Sequence, residues 1–236
     1  MAIITLLTDF GLEDPFVGQM HGVILSRCPE AKIVDLTHGV QPQDVRQASF
    51  LLARSYEWFP PGSVHVAVVD PGVGSERAGI VVEAQGHVFV APDNGLCTPL
   101  FSGARVHRID MGIAPRSRTF HGRDLFAPVG AEIASGRVAP AEVGPPHEPV
   151  KLPPAAKGRV MVVDHFGNLI TDLEADGAVA VEIAGRRIPV RGTYSDVAVG
   201  ELLALTSSFD TLEIACREGN ASALLSARVG AEVRVV

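Results

Sequence analysis

Residues 64–93 read VHVAVVDPGVGSERAGIVVEAQGHVFVAPD, and this segment carries the clearest strand signals of the chain. It begins with a run rich in β-branched residues, 64–69, which ends at Asp70. Such a run, bounded by turn residues, is typical of a strand buried on both faces of a parallel sheet. The proline and glycines of 71–77 then predict a tight loop with exposed backbone amides. Further strands are predicted over 78–83 and 87–91.

Acidic residues follow several of the predicted strands. Asp70 and Asp93 leave strands of this segment, and Asp9 ends a strand predicted over 3–8. Because ligands of open α/β sheets gather at the carboxyl ends of strands, these positions are candidate site residues. A carboxylate at Asp9 can accept two hydrogen bonds at once and suits a ribose diol; the alternative is that it caps the next turn.

The rest of the N-terminal half alternates strands with helices. Strands are predicted over 3–8, 32–36 and 105–109, and helices over 15–26, 43–58 and 122–135. This alternation predicts an α/β domain with a mostly parallel, doubly wound sheet.

A proline-rich segment divides the chain. Six prolines lie between Pro140 and Lys157, which predicts a stiff linker. We therefore expect an N-terminal α/β domain over 1–140, a linker over 141–157 and a C-terminal domain over 158–236. Short strand-like runs punctuated by glycines predict that the C-terminal domain is a smaller, all-β, barrel-like unit, with a helix capped at Asn220. The runs cover 159–163, 179–183, 186–190, 202–205, 211–215 and 232–236.

The composition favours a small-molecule partner. The net charge is −7 and no basic run occurs, which argues against nucleic acid. Three widely spaced cysteines suit free thiols in a reducing compartment, so a cytoplasmic location is expected. The apolar N-terminus lacks a basic leader and is too short to span a membrane, so no membrane partner is expected.

Several side-chain groups could carry chemistry, and each has a structural alternative. Asp70 and Arg77 flank the glycine loop and could form an ion pair, which in loops is usually structural. His121 could be a catalyst or an ordinary hydrogen-bonding residue. The segment 164–168, DHFGN, offers a carboxylate, a ring and an amide, although a turn uses the same residue types.

Familiar metal and cofactor motifs are missing from the sequence. There is no phosphate loop, dinucleotide fingerprint, HExxH, CxxC or GxSxG. His21, His38, Asp9 and Asp35 could in principle converge on a metal, but nothing in their spacing requires it. We therefore expect neither a metal nor a cofactor.

Taken together, the motifs resemble one family. They are TDFG (8–11), TH (37–38), PQDV (42–45), VVDPGVGSER (68–77), APDNG (91–95), TFHGRD (119–124), DHFGN (164–168) and SSFDTLEIA (207–215). The resemblance is to the S-adenosyl-L-methionine hydroxide adenosyltransferase family, whose relatives include the fluorinase and chlorinase. It implies an α/β domain joined to a smaller β-barrel, and homotrimers whose active sites lie between the N-terminal domain of one subunit and the C-terminal domain of the next.

The resemblance also implies a reaction, the hydrolysis of S-adenosyl-L-methionine to adenosine and methionine by attack of water at C5′. S-adenosyl-L-methionine is itself the substrate, so the resemblance implies no cofactor. The implied catalytic residues are Asp70, Arg77 and His121, with either Asp70 or His121 taking the proton. The alternatives are a halogenase, which the presence of Arg77 and the absence of the halogenases' inserted loop disfavour, and a protein that binds the nucleoside without turning it over.

Substrate contacts are implied for both domains. Asp9 would hold the ribose hydroxyls, Asp164 the methionine ammonium and Ser208 the methionine carboxylate. The implied adenine contacts are Phe166, Asn168, Tyr194, Asn220 and Ala221.

Overall fold

A six-stranded sheet forms the centre of the first of two units in the computed structural model, which describes residues 2–236. The first unit ends at Pro153 and the second is Pro154–Val236. The strands are β1 (Ile3–Thr8), β2 (Lys32–Thr37), β3 (Val64–Val68), β4 (Gly79–Ala84), β5 (His87–Pro92) and β6 (Arg105–Arg108), in the spatial order β2-β1-β3-β5-β4-β6.

Helices cover both faces of this sheet. They are α1 (Phe16–Arg27), α2 (Val45–Ala53) and α3 (Ala127–Ala134), the last preceded by a π-helical turn, Gly122–Phe126. Alternate residues of a strand point to opposite faces, so Val66 of β3 packs in the core with α1 and α3, whereas Ala67 packs in the core with α2. Both are buried, which explains the continuous apolar run in the sequence.

The sheet is mixed, although the sequence predicts a mostly parallel one. Parallel pairing joins β2, β1, β3 and β5, but β4 is antiparallel to both β5 and β6. The reason lies at Gln85 and Gly86, which have φ of 52° and 80° and link β4 to β5. A two-residue connection closes a hairpin and is too short for a parallel crossover.

The helix predicted over 43–58 is shorter in the structure. It ends at Ala53, and the backbone N–H of Arg54 bonds to the carbonyls of Phe50 and Leu52. A separate 3₁₀ turn then covers Tyr56–Trp58.

Asp93 anchors the proline-rich end of the first unit to the rest of that unit. Its carboxylate contacts His147 Nε2 at 2.8 Å and accepts a hydrogen bond from the Val150 N–H at 2.8 Å. Leu152 donates its N–H to Thr98 Oγ1 at 2.8 Å. Asp93, a candidate site residue by its strand-end position, therefore has a structural role here. The linker over 141–157 stays a prediction.

The second unit is all-β apart from one short helix. Its elements are β7 (Val160–Val163), β8 (Leu169–Thr171), β9 (Ala180–Ile183), β10 (Arg186–Pro189), β11 (Leu202–Thr206), β12 (Leu212–Cys216), α4 (Ala221–Leu225) and β13 (Arg234–Val235). They form two antiparallel sheets, β10-β9-β13 and β11-β12-β8-β7, so the barrel itself stays a prediction. Asn220 caps α4 as expected, because its side chain accepts the Ala223 N–H at 2.7 Å.

The cysteines are Cys28, Cys97 and Cys216, all free and buried. Over residues 2–236 we find no helix with the length and apolar character needed to cross a bilayer.

Candidate active site

The loop after β3 folds back on itself and brings Arg77 beside Asp70. The Val73 N–H bonds to the Asp70 carbonyl at 3.2 Å, and the Ser75 N–H bonds to the Gly72 carbonyl at 3.1 Å. Gly74 makes the second turn possible, since its φ is 79° and a Cβ there would lie 2.6 Å from the Arg118 carbonyl oxygen.

Arg77 connects the other two members of the Asp70–Arg77–His121 cluster. Its Nη2 donates to Asp70 Oδ2 and lies 3.0 Å from His121 Nδ1. Its Nη1 donates to the Ala78 carbonyl at 3.0 Å, and the guanidinium carbon lies 5.3 Å from the centre of the Phe126 ring. The side chains of Asp70 and Arg77 are 5% and 8% exposed. The guanidinium is therefore held by several partners in a nearly dry environment.

The contact with Arg77 fixes the protonation of His121. A guanidinium only donates hydrogen bonds, so Nδ1 of His121 must accept one. The ring is then neutral, with its proton on Nε2. Burial and the positive charge of Arg77 lower the pKa of His121, while Asp70 and Asp124 oppose this shift. A second proton on Nδ1 would face the guanidinium directly.

Asp70 has an unused oxygen. Burial raises the pKa of Asp70, and the charge of Arg77 and their hydrogen bond act against this rise. Among the residues described, Oδ1 of Asp70 is buried and has no hydrogen-bond partner, and the same is true of Nε of Arg77. Buried polar atoms in native proteins nearly always have partners, so such atoms point to a water or a ligand.

Asp9, Asp70 and His121 line one cavity of about 720 Å³. Oδ2 of Asp9 accepts the Gln43 N–H at 2.8 Å, which leaves the other oxygen of the carboxylate for a ligand. The apolar wall is a cluster of edge-to-face rings, Phe10, Phe16 and Phe120, with centres 5.3–6.2 Å apart. The remaining lining residues, which the sequence analysis did not propose, are Gln19, Pro42, Gln43, Val68, Pro71, Val73, Ser117, Thr119, Gly122 and Arg123. The volume and mixed lining suit a small molecule.

In the second unit, Asp164 organises a turn. Its Oδ1 accepts the N–H groups of Phe166 at 2.9 Å and Asn168 at 2.8 Å, and its Oδ2 accepts Asn168 Nδ2 at 2.9 Å. The turn-like alternative for this motif is therefore correct as a description of its geometry. Phe166 is 72% exposed, so its ring is accessible to a ligand or partner.

The turn at Asp164 lies against the start of α4. A Cβ at Gly167 would overlap the Asn220 side chain, and the Ser222 N–H bonds to the Gly167 carbonyl at 2.9 Å. Asn220 and buried Ala221 are thus brought next to the Asp164 turn. Ser208, by contrast, is exposed in the turn after β11 and takes no part in these hydrogen bonds.

Tyr194 pairs with Glu213, an acid that the sequence analysis missed. The Tyr194 hydroxyl donates to Glu213 Oε1 at 2.6 Å, and Glu213 is 5% exposed. Burial raises the pKa of Tyr194 and of Glu213, and the negative charge of Asp164 raises both further. The available signal was an acid inside an otherwise apolar strand, LEIAC (212–216).

The histidines considered as metal ligands surround Asp35 instead. His21 Nε2 lies 2.8 Å and His38 Nε2 3.1 Å from Asp35 Oδ1, and His38 Nδ1 contacts Thr8 Oγ1 at 2.8 Å. Asp9 is not part of this group. Within residues 2–236 no cluster of three or more histidine, cysteine or acidic side chains has an arrangement that could hold a metal.

Comparison with known proteins gives matches over nearly the whole chain. Residues 4–144 match the model for the SAM hydroxide adenosyltransferase N-terminal domain, and residues 158–234 match the model for the C-terminal domain. A protein of Thermus thermophilus named (R)-S-adenosyl-L-methionine hydrolase is 38% identical, with both chains fully covered. A fluorinase of Actinopolyspora mzabensis is more distant, at 23% identity over 99% of this chain.

Solved structures agree with the fold. An uncharacterised conserved protein from Thermotoga maritima superposes with a TM-score of 0.92 at 36% identity, with 99% of this chain and 100% of that chain covered.

Proposed function

Since this chain belongs to the SAM hydroxide adenosyltransferase family, we propose that it is a hydrolase that converts S-adenosyl-L-methionine and water to adenosine and L-methionine. The observation that carries the proposal is the hydrogen-bonded Asp70–Arg77–His121 cluster, two of whose members line a cavity together with Asp9. The relatives named (R)-S-adenosyl-L-methionine hydrolase support the same reaction.

The reaction needs a base but no general acid. Attack of water at C5′ forms a carbon–oxygen bond and breaks the carbon–sulfur bond, whose electron pair returns to sulfur. The sulfonium thereby leaves as a neutral thioether, so its departure requires no proton. The site has to align the water with the carbon–sulfur bond, remove one proton from it and exclude bulk solvent.

Asp70 is the base in this proposal. Arg77 does not give up its proton in proteins, and Nδ1 of His121 already accepts from Arg77. The free, buried Oδ1 of Asp70 can accept a proton from water, and its raised pKa makes it a stronger base than an exposed aspartate. Arg77 then orients the attacking oxygen and stabilises its negative charge, and His121 positions Arg77.

The apolar wall of the cavity suits this chemistry. A hydroxide-like nucleophile and a sulfonium lose charge as they combine. A low-dielectric environment therefore favours the partly neutralised transition state over the separated ions. The rings of Phe10, Phe16 and Phe120 supply such an environment.

We carry the substrate contacts over as part of the proposal. Asp9 holds the ribose diol, and Asp164 and Ser208 hold the ammonium and carboxylate of methionine. The adenine contacts are Phe166, Asn168, Tyr194, Asn220 and Ala221. We further propose a homotrimer with sites between subunits, a barrel-like C-terminal domain and, from the free cysteines, a cytoplasmic location.

Product analysis tests the function. Purified protein is incubated with each sulfonium diastereomer of S-adenosyl-L-methionine, with and without chloride or fluoride, and the nucleosides are separated by chromatography. Adenosine and methionine in equal amounts are expected under all salt conditions. A 5′-halogenated nucleoside would instead identify a halogenase, and unchanged substrate after prolonged incubation would identify a binding protein.

A further inference from the structure

Glu213 is a buried acid on a sheet face that lies away from the main core of the second unit. Its strand neighbours Leu212 and Ile214 point into that core, so Glu213 points to the opposite face. In the sheet register it lies directly opposite Ile170 on β8 and Leu205 on β11.

The Asp164 turn leads directly into the strand that pairs with Glu213. Asn168 lies just before β8, two residues ahead of Ile170, the partner of Glu213 in the sheet register, and the charge of Asp164 acts on both Glu213 and Tyr194. Asn168 Nδ2 donates to Asp164 Oδ2 at 2.9 Å. From the other side, Tyr194 donates its hydroxyl to Glu213 Oε1 at 2.6 Å. Two carboxylates and a tyrosine therefore share one small region.

We propose that Glu213 is a positioning and specificity-determining residue for the positively charged substrate: its carboxylate adds to the negative charge of Asp164, and it fixes Tyr194 beside them. This inference rests on the proposed function, in which Asp164 holds the methionine ammonium.

If the Tyr194–Glu213 pair were purely structural, it would not need a charge on Glu213. A glutamine at this position would accept the same hydrogen bond from Tyr194 without the cost of a buried charge next to another carboxylate. A bound cation offsets that cost for both acids. The substrate carries an ammonium and a sulfonium, methionine keeps only the ammonium and adenosine is neutral, so Glu213 favours the substrate most strongly over adenosine.

Asp164 and Tyr194 face Glu213 and act in opposite directions on its pKa: the charge of Asp164 raises it, and the hydrogen bond from the Tyr194 hydroxyl lowers it. Burial and the charge of Asp164 raise the pKa of Glu213, so it becomes protonated at a higher pH than an exposed glutamate. A bound cation stabilises the ionised form. Substrate binding and ionisation of Glu213 therefore favour each other.

Three variants test this inference. Glu213→Gln removes the charge and keeps an acceptor for Tyr194, Tyr194→Phe removes the hydrogen bond and keeps the charge, and Glu182→Gln removes an exposed charge from β9 as a matched control. We expect Glu213→Gln to raise KM for S-adenosyl-L-methionine about tenfold with kcat within about twofold of wild type, and to leave the inhibition constant of adenosine unchanged. Tyr194→Phe should have the smaller effect on KM, and Glu182→Gln none.

The pH dependence gives a second readout. As the pH falls, the wild type acquires a neutral Glu213, so the gap in KM between wild type and Glu213→Gln should close. An equal loss of affinity for adenosine, a gap that does not depend on pH, or a KM effect of Tyr194→Phe as large as that of Glu213→Gln would overturn the inference.

Two further measurements keep the inference testable. If Glu213→Gln does not fold, Glu213→Asp, which keeps the charge, should retain a near-normal KM, and a KM raised tenfold or more would count against the inference. If the wild type binds S-adenosyl-L-methionine without hydrolysing it, the proposed function fails, and dissociation constants from calorimetry replace KM in the same comparison.

Discussion

Arg77 joins the Asp70–Arg77–His121 cluster into a single unit. One nitrogen, Nη2, contacts both partners, and the Phe126 ring and the Ala78 carbonyl fix the plane of the guanidinium. A lysine could supply the charge but not this planar, multiply bonded geometry. The cluster therefore depends on the shape of the arginine as well as on its charge.

Replacement of Arg77 by alanine should abolish most turnover and leave substrate binding largely intact. Removing one preorganised donor to developing charge typically lowers kcat by about 10²–10³-fold. Because Arg77 holds the pKa of Asp70 down, its loss should also move the acidic limb of the residual pH–rate profile to higher pH. Single-turnover rates and substrate dissociation constants measured across pH check both effects.

The matched control is Arg105→Ala. Arg105 pairs with Glu83 at 3.0 Å, but its side chain is 75% exposed, so its loss should change neither rate nor binding. Full turnover by Arg77→Ala would contradict the assignment of the cluster.

The sequence predicted part of this cluster. The loop glycines predict a turn that places Arg77 near Asp70, and that ion pair is present. His121 comes from a segment 44 residues beyond Arg77, and no local spacing predicts such a contact. The place of His121 in the cluster was predicted only from the resemblance to the family. Glu213 was missed because an acid inside an apolar strand gives no local sign of its partner.

At the scale of elements, α3 approaches β3 closely enough to require glycine at position 130. A Cβ on Gly130 would lie 2.6 Å from Cγ2 of Val66, a buried, stiff side chain. The π-helical turn that follows His121 runs directly into this helix.

Gly130→Ala should destabilise the protein by about 1–3 kcal/mol through overpacking. Gly22→Ala is the control, because Gly22 lies inside α1 and a Cβ there would meet no atom within 4 Å, so the same change should stabilise by up to about 1 kcal/mol. Denaturant midpoints of the two variants measure the difference. Equal shifts would show that the contact with Val66 is relieved without cost.

A buried histidine pair links neighbouring strands of the first unit. His65 Nδ1 lies 2.8 Å from Thr5 Oγ1, and His65 Nε2 lies 3.2 Å from His87 Nδ1. Burial, and to a smaller extent the charge of His87, lowers the pKa of His65 to about 3. Burial also lowers the pKa of His87, against the opposing charge of Glu57.

This pair predicts loss of stability in acid. The folded state keeps His65 neutral, whereas the unfolded chain takes up a proton below its ordinary pKa of 6.5. The stabilisation is therefore complete above that pH and is lost as the pH falls from 6.5 toward 3, at up to about 1.4 kcal/mol per pH unit for one group. Denaturant unfolding at a series of pH values measures the slope. His65→Gln, which can still bond Thr5, should have a shallower slope, and an identical slope would contradict this account.

The elements themselves were largely predictable where burial is continuous. Apolar runs predicted β1, β3 and β12 because strands buried on both faces leave a strong local pattern. The pattern did not predict features that depend on strand length or on strand pairing. β8 was missed because it has only three residues, and the direction of β4 depends on the Gln85–Gly86 turn.

The proposed substrate contacts come from both units, and the proposed trimer assigns each site to two subunits. Mixing subunits tests this. Co-expressed Arg77→Ala and Asp164→Ala chains should recover about a quarter of wild-type activity, because random assembly completes that share of interfaces. Arg77→Ala chains mixed with chains that carry both Arg77→Ala and Asp164→Ala should recover no activity, because every interface then lacks Arg77. No recovery in the first mixture would contradict sites shared between subunits.

The central claim is that the Asp70–Arg77–His121 cluster directs water to C5′ of S-adenosyl-L-methionine. Turnover of the wild type and of Arg77→Ala in ¹⁸O-labelled water, with mass analysis of both products, tests it directly. We expect the wild type to give one labelled oxygen in the 5′-hydroxyl of adenosine and unlabelled methionine, and Arg77→Ala to form the labelled adenosine about 10²–10³-fold more slowly. Labelled homoserine with 5′-methylthioadenosine would place the attack on the amino-acid side of the sulfonium and contradict the claim.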